Sequence, residues 1–264
     1  MNGSSSTSSK FAFVSWIVGF SILGFLYFLF WTLASHDYNW KAIQPYQSNM
    51  LKGWGMTLLI SAIAAGISIL LGAILTAAQL ASVKMTRLLA RGYIELIRGT
   101  PLITQIVIGY YVFSVALEEK ILILFSVRVE FAPFWVGIVI LSAFSAAYLS
   151  EIFRGGIESI GKTQWESGRA IGLSDFQIYR FVVIPQAIRR VLPASAGLFA
   201  DLVKNSSLLY IIAVHEFFMQ TRGAVANSYA SIEGYIPLAI GYLIITLPIS
   251  LISRKLEARF KYEH

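Results

Sequence analysis

The 264-residue sequence predicts an all-α membrane protein with about six transmembrane helices, and three observations carry that reading. Hydrophobic residues make up 56% of the chain and charged residues only 13%, against about a quarter in soluble domains. Six apolar runs match or approach the roughly 20 residues that a helix needs to cross the hydrocarbon layer. The segments between these runs alternate between strongly basic and acidic or mixed, as expected when basic connections stay in the cytoplasm.

The serine-rich leader at residues 2–10 is low in complexity and is expected to be disordered. The first span, Phe11–Ala34, exceeds the apolar core of a signal peptide. It is expected to be retained, although "TLA" before Ser35 forms a weak cleavage pattern. The second span is Trp54–Ala81. The third, Pro101–Leu117, is short and carries Thr104 and Gln105. Gly99 and Pro101 loosen its start, as in interrupted transporter helices. The fourth, Phe131–Ser150, holds Ser145 and Tyr148. The fifth, Ala194–Val214, carries Asp201 and Lys204, and Tyr235–Ile252 is the sixth.

One set of connections holds Lys84, Arg87, Arg91 and Arg98, then six basic residues from Arg154 to Arg190, then Arg254, Lys255, Arg259 and Lys261. The opposite set is acidic or mixed and holds His36, Asp37, Lys41, Glu118, Glu119, Lys120, Arg128, Glu130, His215, Glu216, Arg222 and Glu233. Six spans then place both termini in the cytoplasm. The net charge of +7 is read as membrane topology, with no nucleic-acid partner. The sequence has no cysteine, and its three histidines, His36, His215 and His264, lie far apart, so neither a thiolate nor a metal site is expected.

The basic loop Glu151–Leu192 is unusually long and polar. Thr163 followed by Glu166 has the capping-box pattern and predicts a helix from Gln164 to about Ile171, ended by Gly172 in the left-handed conformation. Ser174 followed by Gln177 predicts a second helix, Asp175 to about Val183, stopped before Pro185. The first helix combines Trp165 with the small residues Ser167, Gly168 and Ala170. That composition fits a docking element, and it equally fits a helix lying on lipid headgroups.

At this loop the chain resembles the membrane-spanning permease subunit of bacterial ABC importers for polar amino acids (the histidine, glutamine, glutamate and arginine type). That family's signature reads EAA, three residues, G, nine residues, I-x-L-P. Here "ESG" stands at Glu166–Gly168, Gly172 holds the glycine and "VVIP" closes at Val182–Pro185. The departures are Ser167, Gly168, Val182 and Ile184. "YIELIRGTPLITQ" at Tyr93–Gln105, "AYLSEIFRGGIESIGKTQWE" at Ala147–Glu166 and "LVKNSSLL" at Leu202–Leu209 resemble the amino-acid branch more specifically. The likeness covers about Trp54 to Arg259.

The resemblance implies a five-span importer core at about 51–264, preceded by a leader, an extra helix and an external loop at 1–50. It implies a coupling helix in the loop at about 151–192, with Gln164, Trp165, Glu166, Gly168, Arg169 and Gly172 at or supporting the ATPase contact. It also implies two copies of an ATPase subunit that bind ATP and Mg, a second permease subunit (the same or different), an extracytoplasmic amino-acid-binding protein, and a bacterial inner-membrane location.

The chain itself has no G-x-x-x-x-G-K-[ST], H-E-x-x-H or G-x-S-x-G motif, so neither catalysis nor a bound cofactor is expected of it. Glu151 and Glu158 bracket Arg154, which reads as a helix-end salt partner. Charged residues inside a span usually face a cavity or each other. Asp201, Lys204, Asn205 and Leu208 share a helical face. Gln105, Ser145, Asp201, Lys204, Asn205 and Ser206 are therefore candidates for the path. Ser206 and Ser207 could instead bond their own helix backbone, and Gln105 could join helices. Two other transport readings stand beside this one: a permease for another small solute, and an ion-coupled carrier, which would normally show more spans and an internal repeat. A membrane scaffold that uses the loop only to hold a partner is the alternative from another class.

Overall fold

The computed structural model describes residues 4–125 and 130–260. Arg128, Lys261 and His264, used above in reading charge and histidine spacing, lie outside them. Every regular element among the described residues is helical. The chain divides into two units, residues 1–40 and 41–264.

In the first unit, helix α1 (Ser4–Ala34) contains an apolar stretch, Ser15–Ala34, long enough to cross a bilayer. Hydroxyls that could offend hydrocarbon are satisfied locally. Ser21 and Thr32 donate back to Ile17 O and Phe28 O, both at 2.8 Å, the usual solution for such side chains in a helix.

The second unit takes in the short helix α2 (Trp40–Ile43) from Lys41 onward and one 3₁₀ turn, Gln44–Tyr46, leading into α3 (Gln47–Leu80). Helix α4 (Lys84–Gly99) follows a three-residue turn. Arg87 Nη1 donates to Ala81 O at 2.7 Å and Ser82 O at 2.9 Å, which satisfies carbonyls where α3 ends. The break comes just ahead of the third span, at Thr100–Pro101, where Gly99 and Pro101 are expected to loosen its start. Pro101 caps α5 (Leu102–Ile108), a π turn occupies Gly109–Ser114, and α6 (Val115–Phe125) completes the path. Helix α7 (Pro133–Glu158) starts on a proline, whose missing N–H is not needed there.

Helices α3 and α7 cross closely because α3 offers small residues. A methyl at Gly72 would stand 2.9 Å from Leu149 Cβ, and Thr76 Oγ1 donates to Ser150 O at 3.1 Å. Small residues permit this backbone approach between membrane helices. The core of the unit is aliphatic: Ile60, Ile106, Ile138, Leu141, Leu202 and Leu209 are buried together. An apolar cavity of ≈ 610 Å³ lies between α3, α7 and the start of the fifth span, lined by residues such as Ala73, Leu80, Phe153 and Ile188.

The loop contains α8 (Lys162–Ala170) and α9 (Asp175–Ile178). The path then continues without a stop through a π turn, Tyr179–Val183, into α10 (Ile184–Asn205). Pro185 does not end the helix as expected. It falls in the first turn of α10, where a proline is tolerated, and the wider π turn before it absorbs the change of ladder. A 3₁₀ segment, Ser206–Ile212, extends α10 before the chain turns by 54° into α11 (Phe217–Ser228). The last helix is α12 (Ser231–Phe260). Among the described residues, five helices are long and apolar enough to cross a membrane, and the bent path from α9 to α11 makes a sixth if it is counted as one span.

Candidate functional site

The loop folds as a packed hairpin. Helix α8 starts at Lys162 with Gly161 as N-cap, two residues before the expected start, and Thr163 makes no cap. Ile160 explains the shift: it is buried in a small cluster with Ile178 and Val183, so the chain is anchored just ahead of α8. The second box does form. Ser174 Oγ accepts from Gln177 N at 3.3 Å, and Ser174 N donates to Gln177 Oε1 at 2.8 Å.

Between the helices, Gly172 adopts φ +82°. Leu173 N donates to Gly168 O and Gly172 N to Arg169 O, both at 3.0 Å. These paired bonds satisfy the last carbonyls of α8 and require a residue that accepts the left-handed region.

Gly168 and Trp165 face inward. Gly168 is buried, and a methyl there would lie 2.8 Å from Ile178 Cγ1. Trp165 meets Tyr179 edge to face, with centroids 4.8 Å apart. Gln164 Oε1 accepts from Gln186 Nε2 at 3.3 Å. Glu166 is exposed, and Arg169 reaches Asp175 at 3.2 Å with both side chains exposed. The outer surface also carries Ile171 and Phe176, 77% and 72% exposed, which the sequence reading passed over. Their signal was two apolar residues flanking the glycine turn of an otherwise polar stretch.

The path candidates separate into two groups. Asp201 and Lys204 form an ion pair at 2.7 Å, both side chains 57% exposed. Asn205 beside them is half-buried. Gln105, by contrast, serves the break just ahead of the third span. Its Nε2 lies 2.8 Å from Ile97 O, 2.8 Å from Thr100 Oγ1 and 3.1 Å from Thr100 O, covering carbonyls left open where α4 ends. Ser206 is fully buried and donates to Val203 O at 2.8 Å, and Ser207 donates to Lys204 O at 2.7 Å. Both hydroxyls bond their own helix. Ser145 is buried within α7. None of the six candidates lines the apolar cavity.

Charges at the loop end of α7 form a chain. Arg154 bridges Glu151 at 2.7 Å and Glu158 at 2.6 Å. Arg98 approaches Glu151 at 3.8 Å and lies over the Tyr148 ring, 5.2 Å from its centroid. Tyr93 on α4 donates to Ala143 O at 3.0 Å, and burial holds its phenol above its ordinary pKa.

The sequence reading placed Glu216 in an aqueous connection. It is instead fully buried and caps α11, its Oε1 accepting from Met219 N at 2.7 Å and its Oε2 from Phe218 N at 2.8 Å. Tyr242 OH on α12 donates to Oε2 at 3.1 Å, and Thr57 Oγ1 on α3 lies 3.4 Å from it. Nothing local in "VHEFF" shows that two distant donors converge on this carboxylate.

A helical membrane core with an internally packed hairpin between its fourth and fifth spans defines the membrane subunit of a transporter. Residues 68–262 match the family described as the inner membrane component of binding-protein-dependent transport systems, and the chain belongs to that family. It is 33% identical over 225 residues to the glutamine transport system permease protein GlnP of Escherichia coli, covering 85% of this chain and 99% of that protein. It is 31% identical over 220 residues to a probable amino-acid ABC transporter permease protein, YckA, of Bacillus subtilis, covering 83% and 90%. Among solved structures it is similar to an amino acid ABC transporter crystallised with histidines, with a TM-score of 0.72 and 30% identity over 85% of this chain and 100% of that one.

Proposed function

We propose that the chain is the translocating subunit of an ATP-driven importer for a polar amino acid. In this reading an extracytoplasmic binding protein delivers the solute, and two such subunits, identical or different, surround the path. Two separate ATPase subunits bind ATP and Mg and dock on the α8–α9 hairpins. In this reading the hairpin and both termini lie on the cytoplasmic side. Hydrolysis belongs to the partner, since this chain carries no phosphate cradle of the Walker type.

The observation that carries the proposal is the hairpin. Ile178, Tyr179, Trp165 and Gly172 fix it internally, so it can transmit a rigid-body displacement. Its outer face, with Glu166, Ser167, Ile171 and Phe176, remains exposed for a partner. Support for an amino acid as solute comes from the names of the similar proteins and from the Asp201–Lys204 pair, which offers one acceptor and one donor group of the kind a zwitterion needs.

The sequence has no cysteine, so one engineered thiol reports cleanly. Ser167→Cys should cross-link to the ATPase subunit in the assembled complex, with a yield that changes when a non-hydrolysable ATP analogue is added. A cysteine at Glu119 should give no such product. Equal labelling at both positions, or none at Ser167, would contradict the docking role.

A further inference from the structure

Helix α4 divides into three longitudinal sectors. At 100° per residue, Arg87, Ala90, Tyr93, Ile94 and Ile97 fall on one side, which is the side buried or half-buried against the protein. Met85, Leu88, Leu89 and Leu96 fall on a second, and each is 62–66% exposed. Lys84, Arg91 and Arg98 fall on the third. Protein and apolar surroundings thus take the wider sectors, and charge fills a narrow strip between them. A helix lying along a membrane interface against a bundle needs that division.

The helix sits at the same end of the bundle as the hairpin. Arg98 reaches Glu151 near the end of α7, and Arg87 caps the end of α3 at the start of α4. These bonds also show which cations are engaged. Arg87 is held by Ala81 and Ser82, and Arg98 by Glu151 and the Tyr148 ring. Lys84 and Arg91 are exposed and have no partner among the described residues. They lie two turns apart on one edge, beside the exposed Leu88. Glu95 is on the same edge one turn past Arg91, and Arg98 beyond it is paired with Glu151, so the unpaired positive charge is confined to the first two turns.

We infer that the N-terminal half of α4 binds an anionic phospholipid of the cytoplasmic leaflet. Lys84 and Arg91 hold its phosphate headgroup, and Met85, Leu88 and Leu89 lie against its acyl chains. The two unpartnered cations supply charge complementarity, and the exposed leucines supply the apolar contact. The inference rests on the membrane-subunit reading but not on which solute is carried.

A photoactivatable phosphatidylglycerol, with the reactive group near the top of its acyl chain, tests this on the full transporter in phosphatidylcholine nanodiscs. Peptide mapping should place adducts at residues 85–92, competed by unlabelled phosphatidylglycerol and not by phosphatidylcholine. Each basic residue near an anionic surface is worth about fivefold in affinity, so the Lys84→Gln, Arg91→Gln double variant should lower the adduct yield about 25-fold. Lys84→Arg with Arg91→Lys should retain it, and Glu95→Gln should raise it. Retained transport by the double variant would show that the protein is folded and that only the lipid site is lost. A photoactivatable phosphatidylcholine giving equal adducts, or an unchanged yield in the double variant, would overturn the proposal. So would exclusion of the lipid by the ATPase subunit covering Lys84 and Arg91.

Discussion

Replacing Gly168 probes how the hairpin works, because the structure assigns this residue to internal packing. An added Cβ would stand 2.8 Å from Ile178 Cγ1 and 3.1 Å from its Cδ1. Ordinary carbon contacts are about 3.5–4.0 Å, so α8 and α9 must separate by roughly 1 Å or Ile178 must leave its rotamer. Ile178 is fully buried, which limits the second route. Overpacking of this kind costs about 1–3 kcal/mol, and alanine recovers about 1 kcal/mol of helix propensity. Gly168→Ala should therefore destabilise the hairpin by up to about 2 kcal/mol, a factor of up to about 30 in the docking-competent population. Gly168→Leu should cost more and uncouple ATP hydrolysis from uptake. The assay is solute-stimulated hydrolysis in proteoliposomes, together with the affinity of the ATPase subunit for the chain. Ile178→Val removes the Cδ1 methyl and should restore part of the loss when combined with Gly168→Ala. Full activity in Gly168→Leu would refute the packing argument. Failure of Ile178→Val to rescue Gly168→Ala would place the clash at Cγ1, which valine keeps.

Other expectations follow from the same geometry. Gly172→Ala forces a Cβ into the left-handed region and should destabilise the hairpin by about 1–2 kcal/mol, read as weaker ATPase association with spans unaffected in thermal unfolding. Glu216→Ala leaves two backbone N–H groups and the Tyr242 hydroxyl without their acceptor, each worth about 1–3 kcal/mol when buried. It should lower Tm in detergent far more than Glu216→Gln. Gln105→Leu should lower Tm while leaving KM for the solute unchanged, because the amide nitrogen is engaged where α4 ends. A rise in KM at unchanged Tm would place Gln105 on the path. Exchanging the charges with Asp201→Lys and Lys204→Asp should keep the ion pair and still abolish uptake. Normal uptake would reduce the pair to a structural role.

Features written in local pattern were legible before the structure was seen. Hydropathy marked the spans, Gly99 and Pro101 marked the break ahead of the third, and Ser174 with Gln177 marked a cap that forms as written. Gly172 announced its turn because no other residue adopts that conformation so readily. The misreadings arose where a tertiary contact overrode the local signal. Burial of Ile160 started α8 ahead of Thr163, and a π turn carried the helix past Pro185. Glu216 looked like a loop acid because its partners Thr57 and Tyr242 lie far away in sequence. The inward direction of Trp165 and Gly168 was equally hidden, since the motif spacing places them on the hairpin without saying which side they face.

The central claim is that ATP hydrolysis by a partner docked on the hairpin drives amino-acid movement through this chain. The direct measurement is uptake of a panel of labelled amino acids into proteoliposomes holding the chain with its ATPase and binding protein. The account predicts uptake of one or a few polar amino acids that requires ATP on the hairpin side and is lost with Gly168→Leu. Uptake driven by an ion gradient without ATP, or ATPase binding that no solute and binding protein stimulate, would contradict it.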